Sequence, residues 1–188
     1  MNKIHVPVGH TCRAANQARF SKKRKTAYPF DWTLNNYEFV YKFLTLPSDD
    51  FLTNIQLGPK TYHQKYEVNE HLGTHSEVKL VGVYDVKYNV ILVHDIKPAE
   101  TNLANIKNKY LKRRERLISD IKVATYITLH TNEWSDKTLD RERKICLDRY
   151  GKDIKNIFTS NEYTLNSVKQ AIKNLNSNAE INVKNWHE

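Results

Sequence analysis

Val123-Ala124-Thr125-Tyr126-Ile127-Thr128-Leu129 is the stretch on which the fold turns, because its apolar, β-branched run predicts a buried strand with helical patterns on both sides. Before it, Leu103, Ile106, Tyr110, Leu117, Ile118 and Ile121 recur at helical spacing. After it, Lys137 to Tyr150 reads as a helix closed by Gly151 as its C-cap. Ile154 to Phe158 then predicts a strand, Leu165, Val168, Ile172 and Leu175 a helix, and Ala179 to Val183 a last short strand. This βαβαβ succession is the pattern of a parallel sheet covered by helices. The predicted class is therefore α/β, a single domain over residues 1–188 with a mixed sheet whose C-terminal βαβαβ portion is parallel and flanked by helices.

Working back from that stretch, Val78 to Tyr84 and Tyr88 to Val93 predict a hairpin around Asp85-Val86-Lys87. Residues 51–76, with Gly58-Pro59, Gly73 and histidines at 63, 71 and 75, read as irregular. Asn36 to Leu46 predicts a helix: Tyr37, Val40, Tyr41 and Leu44 share a face that Phe39 and Phe43 widen, and Pro47-Ser48-Asp49-Asp50 stops it. Thr26 to Trp32, dense in aromatics around Pro29, reads as an ordered loop packed on the body and able to line a pocket. The segment Ile4 to Gln17 reads as strand, glycine turn and helix start.

That first turn carries the most informative side chain. Cys12 stands at the start of the predicted helix, where backbone N–H groups and the macrodipole favour thiolate over thiol. The run Lys87 to Val93 ends in His94-Asp95, which projects an imidazole from a strand end, as a cysteine nucleophile requires of its base. Each residue also has a plainer reading: Cys12 as a small packed residue, His94 as a turn hydrogen-bonder, Asp95 as a cap. Cys146 shares a helical face with Leu139, Leu147 and Tyr150 and reads as core. His71 and His75 have i, i+4 spacing, but Gly73 opposes a helix there, so no metal site is expected. There is no phosphate-cradling glycine motif, and no cofactor is expected.

The chain has 188 residues, two cysteines and a formal charge of +9. No run approaches the roughly 18 apolar residues that span a bilayer, and the N-terminus lacks a signal-like apolar block. The expectation is a soluble protein of the cytoplasm without membrane partners, and the Asn/Lys/Ile-rich composition suits a virus-encoded one. Charge is uneven: Arg13 to Lys25 holds six cations and no acid, and Lys107 to Lys122 seven cations and two acids. Such clusters create a field suited to nucleic acid or to acidic or phosphorylated substrates; the plainer reading is a solvated helical face.

Four blocks in order carry a resemblance: Val8-Gly9-His10-Thr11-Cys12, Tyr28-Pro29-Phe30-Asp31-Trp32, the strand from Val86 to His94-Asp95, and Tyr110-Leu111-Lys112-Arg113-Arg114-Glu115-Arg116-Leu117. Together they resemble a family labelled papain-like cysteine peptidases. The resemblance implies Cys12 as nucleophile, His94 as general base and Asp95 or Asp31 as the orienting acid, with a papain-like α+β fold as the alternative architecture. Neighbours on a strand face opposite ways, so Asp95 could orient His94 only across a turn, which keeps Asp31 in contention. Thr11 stands where the family pattern has asparagine. Tyr28 and Trp32 of the loop, with Arg113 and Arg116, which are three residues apart on one helix face, are the candidate substrate-binding residues. An inward-turned arginine of this helix would suit a substrate carboxylate or phosphate, or pair with Asp31 or Asp95. Two further classes compete with the cysteine hydrolase: a nucleic-acid-binding protein or nuclease using the basic helices, and a non-catalytic interaction protein.

Overall fold

Apolar periodicity sorts the chain into two sheets and four α-helices among the residues that the computed structural model describes, namely 2–10, 14–15, 26–31, 33–69, 74–88, 90–93, 96–132, 136–153 and 162–186. In chain order the elements are β1 (Lys3–Pro7), β2 (Thr33–Leu34), α1 (Tyr37–Thr45), β3 (Ile55–Asn69), β4 (Thr74–Asp85), β5 (Val90–Leu92), α2 (Leu103–Val123), β6 (Tyr126–Thr131), α3 (Asp136–Tyr150), α4 (Leu165–Leu175) and β7 (Glu180–Asn185).

The strands divide between a parallel sheet ordered β1-β6-β7 and an antiparallel one ordered β2-β5-β4-β3. The central strand of the parallel sheet comes from the fold-deciding stretch, but it starts at Tyr126. Val123 is the last residue of α2 and solvent-exposed, and Ala124 caps that helix through a backbone bond to Ile121. β6 pairs with β7 on one side and with the N-terminal β1 on the other, from Lys3↔Tyr126 to Pro7↔His130. The parallel portion thus recruits the first strand of the chain, and the strand expected over 154–158 lies outside the described residues.

The antiparallel sheet corrects a second expectation. Residues 51–76 are not irregular throughout: β3 runs for 15 residues beside β4, and the register shift between Leu57 and Thr61 absorbs Gly58-Pro59. At the other end of β4 the expected hairpin forms, and the buried Asp85 Oδ1 accepts from the backbone N of Lys87 and Tyr88 to close its turn.

The helices fall where the 3.6-residue period put them. Asn36 caps α1 by accepting from Phe39 N at 2.8 Å, and α1 buries Phe39, Val40, Phe43 and Leu44. The inner stripe of α2 is Ile106, Tyr110, Leu117 and Ile121. α3 covers β3 and β4 with Cys146 and Tyr150, both buried, but Leu147 is 56% exposed. A stripe centred on Cys146 leaves the next residue, turned by 100°, facing solvent. Gly151 ends α3 at φ +69°, as a C-cap glycine does.

Candidate active site

The turn that leaves β1 is held from several sides. Val8 N and Gly9 N both donate to His130 O, at 2.8 and 3.2 Å, and His10 N donates to Asn132 O at 3.3 Å. From β2, Asn35 N donates to His10 O at 3.2 Å. The His10 ring lies 5.1 Å from that of Tyr37, whose hydroxyl hydrogen-bonds Thr131 Oγ1 at 2.7 Å. Gly9 is required sterically: a Cβ there would meet Asn132 Oδ1 at 2.3 Å and Asn132 N at 2.6 Å. Asn35, Thr131 and Asn132 are all buried. Ala14 and Ala15 are helical and fully buried, so the chain is anchored again soon after position 12.

Asn35 is oriented by a short relay. Thr33 Oγ1 donates to Phe30 O at 3.1 Å, so its hydroxyl must accept from Asn35 Nδ2, which lies at 2.6 Å. The amide oxygen of Asn35 is thereby fixed, and it is buried with no hydrogen-bond partner among the described residues. Such an orphan acceptor costs about 1–3 kcal/mol.

The loop before β2 is locked by its aspartate. Asp31 is fully buried; its Oδ2 accepts from Tyr28 N at 2.9 Å while Asp31 N donates to Tyr28 O at 3.3 Å. Tyr28 in turn donates its hydroxyl proton to Asp120 Oδ2 at 2.8 Å, tying the loop to α2. Burial, then the Asp120 carboxylate, pushes the Tyr28 phenol well above its ordinary value.

On α2 the three arginines part company. Arg113 and Arg116, with Ala27, Asn105, Asn108, Lys109 and Lys112, line an open concavity of about 580 Å³. Arg116 donates to Thr26 Oγ1 at 2.6 Å, and the Arg113 guanidinium lies over the Tyr110 ring. Arg114 is the inward one. Its fork donates to the carbonyls of Phe43 and Leu46 at the end of α1 and lies over the rings of Phe43 and Phe51. The inward arginine therefore caps a helix C-terminus, and the expected carboxylate partner is replaced by backbone carbonyls.

At the far end of β6, His130 joins all three parallel strands. Its Nε2 lies 2.9 Å from His5 Nδ1, its Nδ1 accepts from Trp186 Nε1 at 3.0 Å, and the Trp186 ring stacks on it.

Of the sequence-predicted site residues, Tyr28, Asp31, Arg113 and Arg116 are placed as above, while Cys12, Trp32, His94 and Asp95 lie outside the described residues. Asn35 and Asn132 escaped sequence reasoning, since a buried amide in a loop has no periodic signature, and Tyr37 was legible as helix core but its hydroxyl bond to Thr131 at the end of β6 was not. Among the described residues no group of three or more His, Cys, Asp or Glu side chains is arranged to hold a metal ion, and no helix is long and apolar enough to cross a membrane.

Residues 3–151 match the family described as "putative papain-like cysteine peptidase". No curated protein and no solved structure matches the chain.

Proposed function

The chain belongs to this family, and from that premise we propose that it is a cysteine-dependent hydrolase or acyl-transfer enzyme with Cys12 as nucleophile and His94 as general base. The observation that carries the reading is the clamped turn after β1. Five backbone and side-chain contacts fix the turn from Val8 to His10, which ends two residues before Cys12, and buried helical alanines stand two and three residues after it. A nucleophile needs this kind of restraint, because misplacement by about 1 Å can reduce the rate on the order of a hundredfold.

In this reaction His94 takes the thiol proton and the Cys12 thiolate attacks a carbonyl carbon, moving an electron pair onto the oxygen. The tetrahedral adduct collapses to a thioester as the imidazolium gives its proton to the leaving amine or alcohol. Water or an acceptor nucleophile then cleaves the thioester, returning the proton through His94 to Cys12.

Between the two candidate acids, the ladder favours Asp31. Thr33 pairs with Leu92 in an antiparallel register, and in the sequence Asp31 comes two residues before Thr33 as His94 comes two residues after Leu92. Asp95 stands one residue further. The fully buried Asp31 is also held rigidly by Tyr28 N, as an orienting residue should be.

Competitive alkylation tests the proposal. In the folded protein at pH 6–7, iodoacetamide should label Cys12 at least about ten times faster than Cys146, because a helix-start thiol is more ionised and Cys146 is only 3% exposed. Equal, slow labelling of the two thiols would defeat the assignment.

A further inference from the structure

We propose that the outer face of α2 from Asn105 to Arg116 is a sequence-independent docking surface for the phosphate backbone of a double-stranded nucleic acid. This does not depend on the cysteine chemistry. Asn105, Asn108, Lys109, Lys112, Arg113 and Arg116 follow one another at i, i+3, i+4, i+7, i+8 and i+11, a single stripe beside the buried one of Ile106, Tyr110, Leu117 and Ile121. Among the described residues four cations and two neutral amides line the concavity, and none of the described lining residues is acidic.

That stripe is electrostatically expensive for the helix. Lys109 with Lys112 and Arg113, and Arg116 with Lys112 and Arg113, are like-charged neighbours at i, i+3 or i+4, each destabilising by about 0.2–0.5 kcal/mol. A helix selected only for solubility would alternate signs along this face. Lys109 does approach Glu100 at 3.7 Å, but this is a solvent-facing pair of small worth. Arg116 holds the neutral hydroxyl of Thr26, and in the sequence Lys22-Lys23-Arg24-Lys25 immediately precede that threonine.

Length and lining select the partner. At 1.5 Å per residue the stripe spans about 16 Å, comparable with the axial length of about five base pairs of a duplex at 3.4 Å each. Apart from Ala27 the lining is polar or charged. Among the described residues it offers no aromatic platform for an unpaired base, because Tyr110 is 1% exposed beneath Arg113. It likewise offers no apolar pockets for the side chains of a bound peptide. What remains is charge, guanidinium forks and amide donors, the set that holds a phosphate backbone without reading bases.

The test uses the full chain and fluorescent duplexes of roughly 20 base pairs in two unrelated sequences, titrated at several salt concentrations. Both duplexes should bind alike, and log affinity should fall with log salt at a slope of about −3 to −4, near −0.9 for each phosphate neutralised. Lys109→Gln with Lys112→Gln should flatten that slope by about 2, and Arg113→Gln alone by about 1. Circular dichroism of each variant checks that the helix is retained. An unchanged slope in a folded variant, absence of duplex binding at low salt, or tighter binding to a phosphorylated peptide or a phosphatidylserine vesicle than to duplex would each overturn the proposal.

Discussion

Phe30, Phe39, Phe43, Phe51 and Tyr88 form an aromatic block around α1, with ring centroids 4.7 to 6.4 Å apart in edge-on, tilted and stacked arrangements. Tyr37, on the same helix, belongs to a different neighbourhood, where His10, Asn35, Thr131 and Asn132 are joined by directional hydrogen bonds. The aromatic block stabilises through buried area, which grows with every ring and tolerates small rotations. The polar neighbourhood adds less net stability, since each bond replaces one to water and Asn35 leaves an acceptor unmet. What it supplies is position. Bulk stability and placement of the turn that leads to Cys12 are thus assigned to adjacent but separate parts of the interior.

Truncating the block should have the largest effect. Phe43 is fully buried against Phe30, Phe39 and Phe51. Phe43→Ala should therefore lower unfolding free energy by about 3–5 kcal/mol in urea melts. A loss below about 1 kcal/mol would mean that the block is not the main store of stability.

Gly9→Ala should show the complementary behaviour. The added methyl group meets both Asn132 Oδ1 and Asn132 N, so the turn must move, at a cost of about 1–3 kcal/mol, typical of overpacking. Removing the side-chain clash with Asn132→Ala should not rescue it, because the 2.6 Å contact with the backbone nitrogen remains. Slower alkylation of Cys12 at a temperature where the variant stays folded would tie the turn to reactivity; an unaltered rate would separate them.

The smallest effect concerns the tie from the Asp31 loop to α2. Tyr28→Phe removes the bond to Asp120 and should cost about 1 kcal/mol at neutral pH. The sign of its pH dependence follows from the raised phenol. The folded protein keeps the proton while the unfolded chain releases it near the ordinary value of 10.0, so this stabilisation is present below about pH 10 and declines as pH rises further. Tyr28→Phe should flatten the alkaline fall of the melting temperature.

Legibility in the sequence tracked how each element earns its stability. α1, α2 and α4 bury apolar stripes and were readable within a residue or two, and the β4–β5 hairpin was readable around its turn although β4 begins four residues before the expected Val78. β3 was not, because it is an outer strand whose partly exposed residues, such as Gln56, Leu57 and His63, hold the ladder through backbone bonds, and its Gly58-Pro59 bulge imitates a break. The shared face of Arg113 and Arg116 was visible from spacing alone. The inward turn of Arg114 was not, since its partners are main-chain carbonyls that any sequence possesses. The loop lock of Asp31 lay in between: a buried acid beside aromatics was legible, while its bond to Tyr28 N needed the turn to be built.

The link among His5, His130 and Trp186 has a further consequence, in the bookkeeping of protons. An indole nitrogen has no lone pair to offer, so Trp186 can only donate, and His130 Nδ1 must be bare to receive it. The one ring proton of His130 then resides on Nε2 and is directed at His5 Nδ1, which leaves the proton of a neutral His5 on Nε2. The chain of donors is one-way, running from the last strand through the middle one to the first. Two imidazoles that could each have adopted either tautomer are set by a single residue near the C-terminal end of the fold.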